Sequence, residues 1–228
     1  MKLGILWSGG KDSCYAAYLA KKEGNKISCL ITLQSINEDS FMFHTPSISK
    51  VKAQASSMSI PLIIKKTNGV KEFELKDLEF AIKAAKDKYK IEGIVTGALA
   101  STYQASRIQK ICDKLDLECF NPLWQKNQIE HLKDIIKSGI QVIVTGVFAE
   151  PFNSEWLGRQ IDNDFLNEIK DMFKHYSINP VGEGGEYETY VLNAPGLFKK
   201  QIKFDIKKSK IKGEKNSWRM EVEVEWQS

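Results

Sequence analysis

Four apolar runs in the N-terminal half of the chain alternate with segments of helical periodicity. The runs at residues 2–7, 28–34, 62–66 and 94–96 predict strands, and apolar residues recur at helical spacing between them. Consecutive parallel strands need a long crossover connection, which is usually an α-helix. The pattern therefore predicts an α/β fold whose main sheet is doubly wound and mostly parallel. Helices are expected at residues 13–23, 47–57, 76–90 and 102–115.

The pattern changes near Pro122, after which strands and helices no longer alternate regularly. Strict alternation of apolar and acidic residues at positions 220–226 predicts a strand with one buried and one wet face. We therefore predict two domains, residues 1–121 with the doubly wound sheet and residues 122–228 with a smaller α+β arrangement. The second domain is expected to contain helices at residues 128–138 and 162–175 and strands at residues 141–148, 187–192, 199–211 and 218–226.

Composition limits the class of protein. A hydrophobic share of 42% supports a packed core, and the net charge of +4 is spread along the chain, which permits an anionic partner without requiring one. The four cysteines lack the two-residue spacing of zinc and redox motifs, and no apolar run approaches the ~18 residues of a membrane span. We expect a cytoplasmic protein with reduced thiols, no membrane association and no stable nucleic-acid partner; the sequence leaves a homo-oligomer open.

A glycine-rich loop at residues 8–13 joins the first predicted strand to the first helix. Loops at the carboxyl ends of parallel strands are where open sheets bind ligands. Glycines let the backbone approach a phosphate, the helix N-terminus offers free N–H groups, and Lys11 adds a positive charge. The spacing is neither that of the Walker loop nor that of the dinucleotide fingerprint. The alternative interpretation is a tight turn in which a Ser or Asp side chain caps the helix.

The hexapeptide Ser8, Gly9, Gly10, Lys11, Asp12 and Ser13 resembles the signature of the N-type ATP pyrophosphatases, the PP-loop superfamily. That resemblance implies an adenine nucleotide α-hydrolase-like (HUP-type) domain that binds ATP and releases pyrophosphate after an AMP ester has formed. It assigns ATP binding to residues 1–121 and substrate binding to residues 122–228.

Further segments resemble the diphthine–ammonia ligase family, most specifically residues 182–189, which read Gly-Glu-Gly-Gly-Glu-Tyr-Glu-Thr. The resemblance implies an ATP-dependent ligase that converts the diphthine carboxylate of translation elongation factor 2 into the amide of diphthamide. Ammonium would supply the nitrogen, the intermediate would be an acyl-adenylate, and the products would include AMP and pyrophosphate. The other similar segments are residues 42–46, 96–107, 122–124 and 157–159.

The resemblance also implies roles for the nucleotide-binding residues. Lys11 and the backbone of Gly9 and Gly10 would hold the phosphates and stabilise the charge on departing pyrophosphate. Asp12 would be catalytic and bind Mg²⁺, although an acid in the first turn of a helix is also favoured by the helix dipole. The hydroxyl groups of Ser8 and Ser13 would contact phosphate or cap the helix. His44, Gly97 and Ala98 are expected to contact the rest of the nucleotide.

Two groups of residues are candidates for substrate binding. Tyr103 and Arg107 share a helix face beside Gln104, and the three could contact the phosphates or the protein substrate, although an exposed helix arginine usually has no such role. Glu183 and Glu186 are expected to be catalytic. Together with Tyr187 and Glu188 they would bind the cationic substrates, with Trp156 as a further aromatic contact, and strand periodicity places Glu186 and Glu188 on one acidic face.

Three alternatives remain at this stage. A tRNA-modifying PP-loop enzyme would share the phosphate loop, but thiolases generally use a paired or catalytic cysteine, for which Cys112 and Cys119 are badly spaced. A nucleotide sensor would bind ATP or AMP without chemistry, which Lys11 argues against. A glutamine-fed amidotransferase would need a glutaminase domain with a nucleophilic cysteine, so free ammonium is the expected nitrogen source.

Overall fold

The computed structural model of the chain describes residues 1–35, 48–68 and 71–225. Its first sheet has five strands, all of them parallel to their neighbours, in the order β3-β2-β1-β4-β5. The predicted doubly wound α/β fold is thus confirmed. The strands are β1 (Lys2–Leu6), β2 (Lys26–Ser35), β3 (Leu62–Thr67), β4 (Gly93–Val95) and β5 (Glu118–Phe120).

The crossover helices agree with the sequence prediction to within a few residues at each end. They are α1 (Lys11–Lys22), α2 (Ile48–Met58), α3 (Lys71–Tyr89) and α4 (Thr102–Lys114). The chain runs outward from β1 through β2 to β3 and then returns to β4 on the other side of β1. The topological switch point therefore lies between β1 and β4, which is where ligands bind in sheets of this kind.

The C-terminal part forms a four-stranded antiparallel sheet in the order β7-β6-β10-β9 and a two-stranded pair, β11-β8. The sequence prediction of a single strand at residues 199–211 was wrong. There, the Asp205 side chain accepts a hydrogen bond from the backbone N–H of Lys207 and starts a short 3-10 turn that ends the pairing. The elements are α5 (Gln128–Lys137), β6 (Gln141–Val147), α6 (Asn163–Tyr176), β7 (Tyr187–Asn193), β8 (Lys203–Phe204), β9 (Lys210–Glu214), β10 (Ser217–Glu221) and β11 (Val224–Glu225).

Burial along the last strands follows the predicted alternation. Met220 and Val222 are buried, while Glu221 and Glu223 between and after them are exposed. The predicted strand at residues 218–226 is nevertheless divided into β10 and β11, which belong to different sheets. Glu221 at the end of β10 and Glu223 between the two strands therefore face solvent, as expected.

One hydrophobic cluster connects the two sheets. It extends from Leu3 of β1 through Val142 of β6 to Tyr190 of β7, all of which are inaccessible to solvent. A second cluster, with Leu78 of α3 and Ile94 of β4, covers the opposite face of the parallel sheet. Both faces of that sheet are therefore buried, as parallel sheets require. The domain boundary after residue 121 stays a prediction.

None of the described helices combines the length and the apolar composition that crossing a bilayer would require.

Candidate active site

A cavity of about 410 Å³ opens at the switch point between β1 and β4. Three chain segments surround it: the loop after β1, the segment between β4 and α4, and the glycine-rich segment that leads into β7. The polar and small residues lining it are Ser8, Gly10, Lys11, Asp12, Ser13, Thr96, Gly97, Ala98, Ser101, Gln104, Thr145, Gly182, Glu183, Tyr187, Glu188 and Thr189. The predicted site residues account for most of this polar and small part of the wall, whereas the apolar part was not predicted.

The loop at residues 8–13, hereafter the phosphate loop, is shaped to present backbone N–H groups. Gly9 has a φ of +85°, a conformation that glycine adopts without strain. Gly10 is the N-cap of α1, and no side chain caps the helix there. The first-turn N–H groups of Asp12 and Ser13 have no intrahelical acceptor, as at any helix start. The loop thus offers donors and a favourable helix dipole to an anion.

The two serines of the phosphate loop contact each other. Their hydroxyl oxygens lie 3.1 Å apart, and the Ser13 hydroxyl donates to the backbone carbonyl of Gly10 at 3.1 Å. The predicted alternative, in which a serine or aspartate caps the helix from the N-cap position, does not occur, because that position is Gly10.

Strand β7 holds the phosphate loop from the C-terminal sheet. The backbone N–H of Val191 donates to the carbonyl of Gly9 at 3.0 Å, and the backbone N–H of Lys11 donates to the Thr189 hydroxyl at 3.1 Å. The family-specific segment at residues 182–189 is therefore in direct contact with the residues expected to bind ATP.

Gln54 of α2 is a second fixed point for the phosphate loop, and it was missed from the sequence. Its side chain is fully buried and uses its hydrogen-bonding groups on three partners. The amide nitrogen donates to the carbonyls of Gly9 at 2.9 Å and Val191 at 2.8 Å, and the amide oxygen accepts from the Trp7 indole at 2.9 Å. Gln54 follows the buried Val51 by three residues and therefore lies on the same face of α2. A polar residue on that otherwise apolar face was the sequence signal for a buried hydrogen-bonding role.

The buried Lys11 forms an ion pair with the partly exposed Asp12 at the base of the cavity. The ammonium group of Lys11 donates to Asp12 Oδ2 at 2.9 Å and to the backbone carbonyl of Val181, and it lies 5.2 Å from the centre of the Tyr187 ring. Only 3% of Lys11 is exposed. The lysine predicted to hold phosphate thus contacts the C-terminal segment in this structure.

His131 of α5 holds the other side of Asp12. Its Nε2 lies 2.8 Å from Asp12 Oδ1, and the ring is fully buried. Burial raises the pKa of Asp12, but the charge of Lys11 and the hydrogen bond with His131 outweigh that effect and bring it to about 2. Sequence reasoning missed His131; the signal was a polar ring on the buried face of α5, next to Leu132.

Glu183 lies at the mouth of the cavity, where it is exposed. Its pKa is raised, first because the cavity wall removes part of its water and second because the negative charge of Asp12 is near. Lys11 and backbone hydrogen bonds from Ala100 and Leu99 oppose that shift. Through the hydrogen bonds from Ala100 and Leu99, Glu183 connects the glycine-rich segment that leads into β7 with the segment between β4 and α4.

Gly97, which was predicted to contact the nucleotide, packs closely against the first turn of α1. A Cβ atom at this position would lie 2.7 Å from the backbone nitrogen of Ser13 and 2.8 Å from the carbonyl carbon of Asp12. The absence of a side chain lets the end of β4 approach the first turn of α1. Contact of Gly97 with a nucleotide stays a prediction.

Replacing Gly97 by alanine should therefore displace the first turn of α1. We expect Gly97→Ala to lower the free energy of unfolding by about 1–3 kcal/mol, as overpacking typically does. We also expect weaker ATP binding, because the displaced turn carries the N–H groups of Asp12 and Ser13. Urea unfolding and calorimetric titration with ATP measure the two effects, and wild-type values for both would contradict this account of Gly97.

Some predicted site residues do not reach the cavity. Tyr103 and Arg107 do share a helix face, with the guanidinium carbon 3.4 Å from the ring centre, but neither lines the cavity, whereas Gln104 between them does. Trp156 packs against Phe152 at 5.0 Å instead of facing the cavity. His44 lies outside the described residues.

Tyr187 lines the cavity but is only 4% exposed. Its hydroxyl donates to the carbonyl of Pro180 at 2.7 Å, and its ring packs against Phe152 and Phe165. Lys11 already lies over the ring. A substrate cation would therefore have to take the place of that ammonium group to reach the ring.

Glu186 and Glu188 do not share one acidic face. Glu188 lines the cavity at the phosphate loop, and Glu186 lines a separate cavity of about 590 Å³. Strand β7 begins only at Tyr187, and its pairing with β6 contains register shifts, so simple period-two counting from residue 186 does not apply. The prediction of one acidic face was wrong.

Comparison with known proteins adds an independent result. The family model of the diphthamide synthase N-terminal domain matches residues 1–119, and that of the C-terminal domain matches residues 127–226. The diphthine–ammonia ligase of Homo sapiens is 34% identical over 226 residues, which cover 90% of this chain and 83% of that protein. The ligase of Rattus norvegicus is 33% identical over 230 residues, which cover 92% and 85%. In Schizosaccharomyces pombe the match covers 36% of a longer ligase, at 33% identity.

Solved structures with a similar arrangement are more distant. A predicted subunit of a tRNA methyltransferase from Methanocaldococcus jannaschii has a TM-score of 0.43 at 16% identity, covering 86% of this chain and 98% of that one. A U34-tRNA thiolase from Methanococcus maripaludis has a TM-score of 0.40 at 15% identity, covering 80% and 68%. The family models and the curated relatives, by contrast, extend over nearly the whole sequence, and on that basis this chain belongs to the diphthine–ammonia ligase family.

Proposed function

We propose that this protein converts the diphthine carboxylate of translation elongation factor 2 into the amide of diphthamide, with ammonium as nitrogen donor and ATP as activating substrate. The observation that carries the proposal is the cavity in which the phosphate loop and the segment at residues 182–189 form facing walls. The first wall is suited to a nucleotide phosphate and the second is the part most specific to the family. Residues 122–228 would bind the protein substrate.

Two parts of the cavity wall would suit two parts of ATP, the phosphate loop its phosphates and the apolar side chains its adenine ring. Backbone donors of the phosphate loop would bind the phosphates, and Lys11 would exchange the Val181 carbonyl for a phosphate oxygen. A positive charge held there stabilises the negative charge that develops on departing pyrophosphate. The apolar part of the wall, which includes Ile31, Leu33 and Leu78, is suited to the adenine ring.

Mg²⁺ fits the residues present. The carboxylates of Asp12 and Glu183 both line the cavity, and Asp12 retains part of its side-chain exposure. Among the described residues no three acidic, histidine or cysteine side chains form a complete metal site. Mg²⁺ is usually held by one or two carboxylates together with substrate phosphates and water, and here Asp12 would supply the carboxylate and ATP the phosphates. Bound there, it would neutralise phosphate charge.

The reaction would proceed in two steps. The diphthine carboxylate would attack the α-phosphorus of ATP, forming the acyl-adenylate and releasing pyrophosphate. Ammonia would then attack the acyl carbon, forming the amide and releasing AMP. Glu183, which is exposed at the cavity mouth and near enough to Asp12 for their charges to interact, would orient the cationic end of diphthine, and Gln104 and Glu188 belong to the same polar lining.

The test is a reaction with purified protein, diphthine-bearing elongation factor 2, ATP and isotopically labelled ammonium. We expect AMP and pyrophosphate to form in step with amide, and the mass of the factor to change by the replacement of OH with labelled NH₂. Formation of ADP and phosphate instead would reject the adenylate route. Absence of any turnover on this substrate would reject the proposed function.

A tRNA thiolase remains the alternative within the superfamily. Three cysteines, Cys14, Cys29 and Cys112, are buried, and burial raises the pKa of the Cys29 thiol to about 12. Cys112 and Cys119 lie near enough to raise the pKa of the first thiol and lower the pKa of the second, despite their spacing in sequence. Sulfur incorporation into tRNA in an assay with a sulfur donor would favour the thiolase, and ATP binding without turnover on any of these substrates would favour a nucleotide sensor.

A further inference from the structure

A second cavity lies beside the proposed active site and shares a wall with it. Its volume is about 590 Å³, and it lies between the start of α5, the end of α6 and the glycine-rich segment. Within that segment, Gly182 and Glu183 line the first cavity, whereas Gly184 and Glu186 line the second. The two cavities are therefore separated by the backbone of a few residues.

Glu186 carries the most unusual polar group of this second cavity. Its Oε1 accepts a hydrogen bond from the backbone N–H of Asn179 at 2.9 Å. Its Oε2 is closed to solvent and has no hydrogen-bond partner among the described residues. None of the ion pairs within the described ranges includes Glu186. A partly buried carboxylate without a cation is unfavourable, and a cation in the cavity would stabilise it once the carboxylate turns far enough to expose Oε2 to the cavity.

Gly184 brings this carboxylate against the segment that separates the two cavities. A Cβ atom at position 184 would lie 2.6 Å from Oε1 and 3.0 Å from Oε2 of Glu186. Only glycine therefore permits the carboxylate to lie where it does. Gly184 has no positive φ, so an alanine there would be tolerated by the backbone and would act by displacing the carboxylate.

The rest of the lining combines apolar residues, such as Phe173 and Ile178, with a few polar side chains that could contact a small cation. Lys126 lies on the wall, but its ammonium group pairs with Asp134 at 2.6 Å and does not satisfy Glu186. The side-chain amides of Asn127 and Gln128 provide acceptor oxygens on the same wall. The cavity thus combines one uncompensated negative charge with neutral acceptors.

We propose that this second cavity binds the ammonium co-substrate at the Glu186 carboxylate, one loop away from the acyl-adenylate. The proposal rests on the proposed function, and it assigns different tasks to the two glutamates: Glu183 faces the nucleotide and diphthine, and Glu186 faces ammonium. Ammonium has four N–H groups and a unit charge, which match a carboxylate oxygen and the surrounding amide oxygens.

The test compares Glu186→Gln with Glu214→Gln, an exposed glutamate on β9 that serves as the matched control. Glutamine keeps an oxygen for the Asn179 N–H and removes the negative charge. We expect the KM for ammonium in the amidation reaction to rise about tenfold or more, the usual effect of losing a charge-assisted hydrogen bond, while the KM for ATP changes less than about twofold. The control should match the wild type in both values.

A second variant tests the position of the charge. Gly184→Ala keeps the Glu186 carboxylate but displaces it, so it should also raise the KM for ammonium. ATP–pyrophosphate exchange in the presence of the diphthine-bearing factor, which needs no ammonium, separates this proposal from the proposed function. No exchange in the wild type would overturn the proposed function itself. Exchange in the wild type together with an unchanged KM for ammonium in both variants would overturn only the ammonium site.

Discussion

Gln54→Leu is expected to lower the free energy of unfolding by about 2–4 kcal/mol and to weaken ATP binding at the same time. Leucine has a similar size but leaves the Trp7 indole and the carbonyls of Gly9 and Val191 without the hydrogen bonds that Gln54 supplies. A buried polar group that loses its partner costs about 1–3 kcal/mol. Urea unfolding followed by tryptophan fluorescence measures the stability, and calorimetric titration measures ATP binding.

The matched control for this substitution is Gln109→Leu. Gln109 is an exposed residue of α4 whose amide donates to Asp113 one turn away. A surface change of this kind should alter the free energy of unfolding by about 0.5 kcal/mol or less. If Gln54→Leu were no more destabilising than Gln109→Leu, the three buried hydrogen bonds would not hold the phosphate loop as described.

Lys11→Met is expected to lower kcat by about 10²- to 10³-fold at saturating ATP, since removing one positioned donor to a developing charge has an effect of that size. Methionine preserves most of the apolar length of the side chain and removes only the ammonium group. Because Lys11 is 3% exposed and paired with Asp12, the substitution also leaves that carboxylate with His131 alone. Release of pyrophosphate in the presence of diphthine-bearing factor measures the loss.

Lys110→Met provides the control for charge removal, because Lys110 is exposed on α4 and does not line the cavity. Circular dichroism and the thermal midpoint establish that both variants are folded. A folded Lys11→Met protein with kcat within about threefold of the wild type would show that Lys11 only supports the structure, because a transition-state contact would have a far larger effect.

The sequence was most informative where structure is decided locally. The four apolar runs and the phosphate loop predicted the parallel sheet and the place of the cavity, because strand and helix periodicities are short-range signals. Strands β4 and β5 both have three residues; β4 is apolar and was predicted, whereas β5 begins with the charged Glu118 and was missed. The wrong strand at residues 199–211 has a different origin: its apolar and polar residues alternate in part, but Asp205 accepts a hydrogen bond from the backbone N–H of Lys207 and starts a turn.

The site was predictable only as far as its motifs extend. The partners of the phosphate loop come from distant positions: Thr189 lies 178 residues from Lys11, His131 lies 119 residues from Asp12, and Gln54 lies 45 residues from Gly9. Periodicity relates only residues that are near in sequence, so it could not show that these distant residues are in contact. Glu183 and Glu186 are close in sequence and were therefore predicted to have similar roles. In the structure the path of the backbone between them places Glu183 in one cavity and Glu186 in the other.

The attachment of the phosphate loop to β7 also sets the order in which parts of the chain can reach their native structure. During synthesis the phosphate loop leaves the ribosome before the strands that follow β1, and the five strands of the parallel sheet can pair once β5 has emerged. The hydrogen bonds from Val191 and to Thr189 can form only after β7 has been made. A nascent chain that stops before β7 therefore has the phosphate loop without the contacts that hold it, and under the proposed function ATP would stabilise the chain only after β7 has been added.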